Sequence, residues 1–96
     1  MKHITLGIHY PKKEHQESIL DVARKVHDIA QTCEGHIDSG ALLDEENDRI
    51  IMFSLWQNKE SAFEASKILR PIIAEANFQD WERKPSDNII NMKRLV

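Results

Sequence analysis

Arg49-Ile-Ile-Met-Phe-Ser-Leu-Trp56-Gln-Asn-Lys-Glu-Ser-Ala62-Phe63-Glu-Ala65 reads as a strand that ends on a tryptophan and turns at once into a helix. Ile50 to Trp56 is short, β-branched and aromatic, and apolar at nearly every position, the pattern of a strand buried on both faces. Asn58 is placed to cap the following helix, with Glu60 in its first turn near the positive end of the helix dipole.

Upstream, residues 3–10 alternate as His-Ile-Thr-Leu-Gly-Ile-His-Tyr, a period of two that predicts a first strand ended by Pro11. From Glu14 to Cys33 the apolar positions Ile19, Val22, Ala23, Val26, Ile29, Ala30 and Cys33 recur every three or four residues and form one stripe of a helix. Gly35 stands where a terminating glycine belongs. Residues 36–44 predict a second strand, joined to the third by the polar turn Glu45 to Asp48. The helix after Trp56 carries Ala62, Phe63, Ser66 and Leu69 on one face, and Pro71 is expected to kink or restart it. Gln79 to Asp87 reads as a polar connection and Asn88 to Leu95 as a last strand.

The order is β-α-β-β-α-β, an α+β ferredoxin-like fold with an antiparallel sheet in a single domain spanning residues 1–96. Right-handed crossovers are expected to set the first and third strands side by side, running parallel. Helices would cover one face of the sheet. The other, also apolar, predicts an isologous homodimer.

Composition narrows the function classes. The formal charge is −3 and the basic residues are scattered, so no stripe exists to hold a phosphate backbone and no nucleic-acid partner is expected. No stretch approaches the roughly 20 apolar residues that span a bilayer, so no membrane association is expected. A single cysteine, Cys33, suits a reducing cytoplasm and reads as a small buried hydrophobe. Five histidines invite a metal, but none are paired at helical spacing, and no metal site is expected.

Leu55-Trp56-Gln-Asn-Lys-Glu-Ser-Ala62-Phe63, with Cys33-Glu-Gly35 and the acidic turn Asp44 to Asp48, resembles the antibiotic-biosynthesis monooxygenase (ABM) family of the dimeric α+β barrel group. The resemblance covers nearly the whole chain. It implies a dimer with a pocket between sheet and helices, and a cofactor-independent monooxygenase acting on a small, flat, partly apolar substrate that itself supplies the electrons. Met52 stands where the oxygenase subgroup carries an asparagine, and Ala76 near its later arginine. The haem-degrading branch would want an asparagine, a tryptophan and a histidine where this chain has Gly7, Ser66 and Ala76.

Under that resemblance His9 is the candidate base, since an imidazole near its ordinary pKa of about 6.5 can take a proton from a phenol or enol at neutral pH. It is expected beside Trp56 at the strand ends. Trp56 either shapes the pocket or packs the strand end against the second helix. Tyr10, Met52, Phe63 and Leu69 are the candidate substrate contacts, and Trp81 either lids the pocket or anchors its loop at the dimer interface. The competing reading is a non-catalytic ligand-binding or stress-related dimer whose pocket is filled by its own side chains.

Overall fold

The computed structural model describes residues 1–87 and 90–96. Strand β1 is His3–His9, followed by a 3-10 turn at Lys13–His15 and helix α1, Gln16–Ala30. The hairpin β2 (His36–Asp44) and β3 (Arg49–Trp56) leads to α2, Lys59–Ala74. A one-turn helix α3, Phe78–Trp81, precedes β4, Ile90–Lys93. Of the expected last strand, Asn88 and Ile89 lie outside the described residues.

The sheet order is β2-β3-β1-β4, and every neighbouring pair is antiparallel. The expected ferredoxin-like order and the adjacency of β1 and β3 hold; the parallel orientation does not. The crossover through α1 makes β1 and β2 run the same way, and the hairpin then feeds β3 back between them, so β3 must oppose both. The register is His3 opposite Trp56, Gly7 opposite Met52 and His9 opposite Ile50.

Local sequence accounts for most element ends. The Asn58 side chain accepts from the Ser61 amide at 2.8 Å, capping α2 as expected. The hairpin turns through Asp44, whose carboxylate accepts from the Asn47 amide and from Arg49 Nε, and through Asp48 at φ 52°. Helix α1 ends at Ala30, three residues short of the expected Cys33. Gly35 is the left-handed residue of the ensuing loop, at φ 84°, and a Cβ there would collide with the Ser61 side chain. Pro71 neither ends nor restarts α2, which runs through it to Ala74.

The core between helices and sheet is centred on Trp56, 2% exposed, with Ala30, Ala65 and Leu69; Val26, Ile29, Cys33, Ala62 and Ile72 pack around it. Helix α1 lies chiefly on β2 and on α2, and α2 spans β3 and part of β1. The register puts His3, Thr5, Gly7 and His9 of β1 on this covered side with Ile50, Met52, Ser54 and Trp56 of β3. Ile4, Leu6 and Ile8 therefore share the uncovered side with Ile51, Phe53 and Leu55, flanked by Leu42, 55% exposed, and Met92, 41% exposed. The expectation of a sheet apolar on both faces is corrected on β1: its polar face is the one the helices cover.

Candidate active site

His9 closes β1 at one end of the covered face. It is 9% exposed, and its ring stacks on Phe78 of α3 with centroids 4.7 Å apart. Its partner, Glu82, is 7% exposed and comes from the residue that ends α3. The backbone delivers it: Lys12 N–H donates to the Trp81 carbonyl, Arg83 N–H to the Tyr10 carbonyl and Asp87 N–H to the Ile8 carbonyl. The segment expected as a plain polar connection thus lies along the end of β1, bridging Pro11 to Glu82. Trp81 packs edge-on against Phe78, 5.8 Å between centroids, so it anchors this segment internally.

The Glu82 carboxylate accepts from the Tyr10 amide at 2.8 Å, from the Ser86 hydroxyl, and from His9 Nδ1 at 3.2 Å. Ser86 Oγ also lies 3.2 Å from His9 Nδ1. With two oxygen acceptors against Nδ1, the proton of a neutral ring sits there and Nε2 keeps its lone pair. Nε2 has no hydrogen-bond partner among the described residues. It lies across Gly7, where an added Cβ would approach it to 3.5 Å. Burial pushes the His9 pKa below its ordinary value; the charge and hydrogen bond of Glu82 oppose that without cancelling it.

The middle of the covered face is less buried than its ends. Thr5, Gly7, Met52 and Ser54 are half-buried, whereas His3, His9, Ile50 and Trp56 are buried. These central positions are the more accessible part of the covered face, with the His9–Glu82 pair at one end. Towards the other end, Asn91 Oδ1 accepts from Thr5 Oγ1 at 3.0 Å and lies 3.3 Å from His3 Nε2. There His3 and Asn91 also line an open groove of about 410 Å³ over the first turn of α2.

Antiparallel pairing separates the two residues expected side by side. His9 is opposite Ile50, and Trp56 opposite His3, six residues further along β1, which is ~20 Å. Trp56 is enclosed: its indole N–H donates to Ser54 Oγ at 2.9 Å, and His36 stands edge-on to it at 5.4 Å. Met52, across from Gly7, is the expected contact that shares the covered face of the sheet with His9. Tyr10 alternates to the other side of the sheet, where its hydroxyl donates to Asp87 beside Arg49; the Asp87 bond foremost, then burial, raises its pKa. Leu69 packs under Trp56. Phe63 is 58% exposed on the outside of α2, with Lys67 Nζ 4.9 Å from its ring centroid. Sequence reasoning missed Glu82 and Ser86 because they meet His9 across more than seventy residues, with no periodicity to mark them.

No protein-family profile matches the chain, and no curated protein sequence matches it significantly. Solved structures do. Rv0793 from Mycobacterium tuberculosis superposes with a TM-score of 0.82 at 7% identity, covering 100% of this chain and 97% of that one. A conserved protein from Methanosarcina mazei Go1 gives 0.83 at 14% identity, covering 99% and 94%. An antibiotic biosynthesis monooxygenase gives 0.75 at 10% identity, covering the whole of both chains. The fold is therefore α+β, ferredoxin-like, and its structural neighbours include antibiotic biosynthesis monooxygenases.

Proposed function

We propose that this chain is a homodimeric, cofactor-independent monooxygenase of the ABM kind. Its substrate is a small, flat, partly apolar molecule bearing an acidic phenol or enol. One observation carries the reading: His9 is held through Nδ1 by a buried carboxylate, which leaves Nε2 unprotonated on the Gly7 side, where the proposed substrate crevice lies. A histidine oriented by a carboxylate is suited to general-base work. Its lowered pKa keeps it neutral, and so able to accept a proton, at pH 7.

The chemistry this supports begins with His9 Nε2 taking the substrate's acidic proton. The resulting anion is electron-rich enough to reduce dioxygen, and Glu82 stabilises the imidazolium that forms. Met52 supplies an apolar wall opposite Gly7. Trp56, Leu69 and Ala65 fix the geometry of β3 and α2 from the core and do not touch substrate. The second copy covers the apolar side of the sheet, where Ile4, Leu6, Ile8, Ile51, Phe53 and Leu55 form a contiguous patch of the kind that marks an interface.

The test is oxygen consumption against a panel of quinol- and anthrone-like compounds, comparing the native chain with His9→Ala. Uptake that disappears in His9→Ala is the expected result. No uptake with any compound would support the competing reading, a ligand-binding dimer without turnover.

A further inference from the structure

Ser86 touches both members of the His9–Glu82 pair and comes from the segment that follows α3. It is half-buried, four residues beyond Glu82. The neighbouring residue pins it: Asp87 donates its N–H to the Ile8 carbonyl at 3.1 Å and accepts the Tyr10 hydroxyl on its carboxylate at 2.5 Å. Ser86 is thereby held to the end of β1 through the two residues that flank His9. Its hydroxyl donates to Glu82 Oε2, and its oxygen lies 3.2 Å from His9 Nδ1.

Proton accounting gives this hydroxyl a definite orientation. Ser86 has one proton and the neutral His9 ring carries one on Nδ1, so the two cannot both lie along the line between them. Glu82 Oε1 takes the Tyr10 amide at 2.8 Å and Nδ1–H at 3.2 Å, which leaves Oε2 to the Ser86 hydroxyl. With the hydroxyl turned to Nδ1 instead, the ring proton would have to move to Nε2, and Oε2 would keep no donor among the described residues. Glu82 is 7% exposed, and a buried carboxylate oxygen without a donor is costly. The arrangement that satisfies Oε2 is therefore the one that keeps the Nε2 lone pair.

We propose that Ser86 is a positioning residue for His9 that acts through Glu82. By tying Oε2 it fixes the plane of the carboxylate so that Oε1 faces Nδ1, and its oxygen gives Nδ1–H a second acceptor. The proposal rests on the reading of His9 as the base. Ser86 does not exchange a proton with substrate; it holds in place the charge that the imidazolium meets. Without the hydroxyl, Glu82 keeps only the Tyr10 amide and Nδ1–H, both on one oxygen. The last torsion of a glutamate side chain is broad, so the carboxylate then turns to bring Oε2 toward water.

The test follows the His9 ring protons by NMR titration in the native chain, Ser86→Ala, Ser86→Thr, Glu82→Gln and the double variant Ser86→Ala/Glu82→Gln. Burial lowers the His9 pKa and Glu82 opposes it, so a carboxylate turned away lets the midpoint fall. Ser86→Ala is expected to move the midpoint down, part of the way to that of Glu82→Gln, and Ser86→Thr, which keeps the hydroxyl, to restore it. In the Glu82→Gln background Ser86→Ala should add no further shift, the signature of a residue that acts through Glu82. With a substrate from the oxygen-uptake panel, Ser86→Ala should lower kcat about tenfold and leave KM unchanged, a part of the roughly 10²- to 10⁴-fold that a positioned acid–base group supplies. A midpoint in Ser86→Ala that rises or stays at the native value, or an equal shift in both backgrounds, would overturn the proposal. The titration needs no turnover. An inactive protein that shows the expected shifts would refute the proposed reaction and retain the hold of Ser86 on Glu82, whereas His9-dependent uptake with an unmoved midpoint would refute the positioning alone.

Discussion

Replacing Glu82 by glutamine is the sharpest probe of the His9 pair. The native carboxylate serves three donors, of which the Tyr10 amide and His9 Nδ1–H share Oε1 and the Ser86 hydroxyl takes Oε2. Glu82→Ala would strand the Tyr10 amide and His9 Nδ1–H in a buried place, at about 1–3 kcal/mol each, or roughly 2–6 kcal/mol together. That is a large part of the 5–15 kcal/mol that typically holds a domain folded, so alanine confuses unfolding with chemistry. Glutamine keeps a carbonyl oxygen at Oε1, and Ser86 can reverse its role and accept from the new amide. Only the charge assistance of the bonds is lost, for a cost of about 1–2 kcal/mol in urea unfolding. What changes is the titration of His9. Burial lowers its pKa, and the charge and hydrogen bond of Glu82 hold it up. Without the charge, the midpoint read from the His9 ring protons by NMR must fall below the native one. The pH dependence of stability has a matching sign. With the folded pKa below 6.5, the unfolded chain binds more protons in that interval, so this contribution is full above about pH 6.5 and is lost as pH falls toward the folded pKa. Its slope there is at most about 1.4 kcal/mol per pH unit. In Glu82→Gln the interval extends further into acid. A His9 midpoint that rises, or does not move, refutes the assignment of Glu82 as the group that supports the imidazolium.

Other expectations are more local. Gly7→Val places a branched side chain against Nε2 and should abolish turnover while leaving the Glu82 side of the ring intact; unimpaired oxygen uptake by this variant would remove the crevice from the mechanism. Trp56→Ala empties the centre of the helix–sheet core and should cost about 3–5 kcal/mol by denaturant unfolding, with the His9 titration midpoint unchanged because the two residues sit at opposite ends of the sheet. Gly35→Ala combines a left-handed backbone with a collision against Ser61, so a loss beyond the roughly 1 kcal/mol of the conformation alone is expected in thermal melts. Phe53→Glu sets a charge in the middle of the uncovered sheet face; light scattering should show a dimer for the native chain and a monomer for the variant.

The legible parts of this fold were those governed by short-range rules. β3 announces itself by a β-branched and aromatic run, β2 more weakly by its place before the polar turn Glu45 to Asp48, and Asn58 by its place before a helical stripe, so these boundaries agree with the structure within a residue. The illegible parts depended on contacts between distant segments. Cys33 lies on the same apolar stripe as Ala30, yet the helix stops earlier, since the chain must swing round to bring the Gly35 carbonyl to the Gln57 amide. Glu82 is one acid among sixteen Asp and Glu residues, and nothing near it in sequence signals burial. His9 was identifiable as a strand-end imidazole, but its neighbours followed from strand direction. Reversing β3 exchanged Trp56 for Ile50 as its cross-strand partner.

The same reversal of expectation applies to the polarity of the sheet, and it links the crevice to assembly. A two-layer fold ordinarily turns its apolar sheet face to the helices. Here β1 turns His3, Thr5, Gly7 and His9 to them, and β4 contributes Asn91, hydrogen-bonded to Thr5. The helix–sheet core gathers around Trp56 at the end of β3. The apolar side chains of β1, with those of β3, instead face away from both helices. Polar lining on one face and unmet apolar area on the other arise from one alternation in seven residues, His3 to His9. Shifting that alternation by one residue would seal the crevice with Ile4, Leu6 and Ile8 and leave a polar outer face with no reason to pair. In this chain the proposed crevice and the proposed dimer both follow from the same register. If the proposed dimer forms through this face, stability should rise with protein concentration, because pairing of two sheets buries the apolar area the helix layer forgoes.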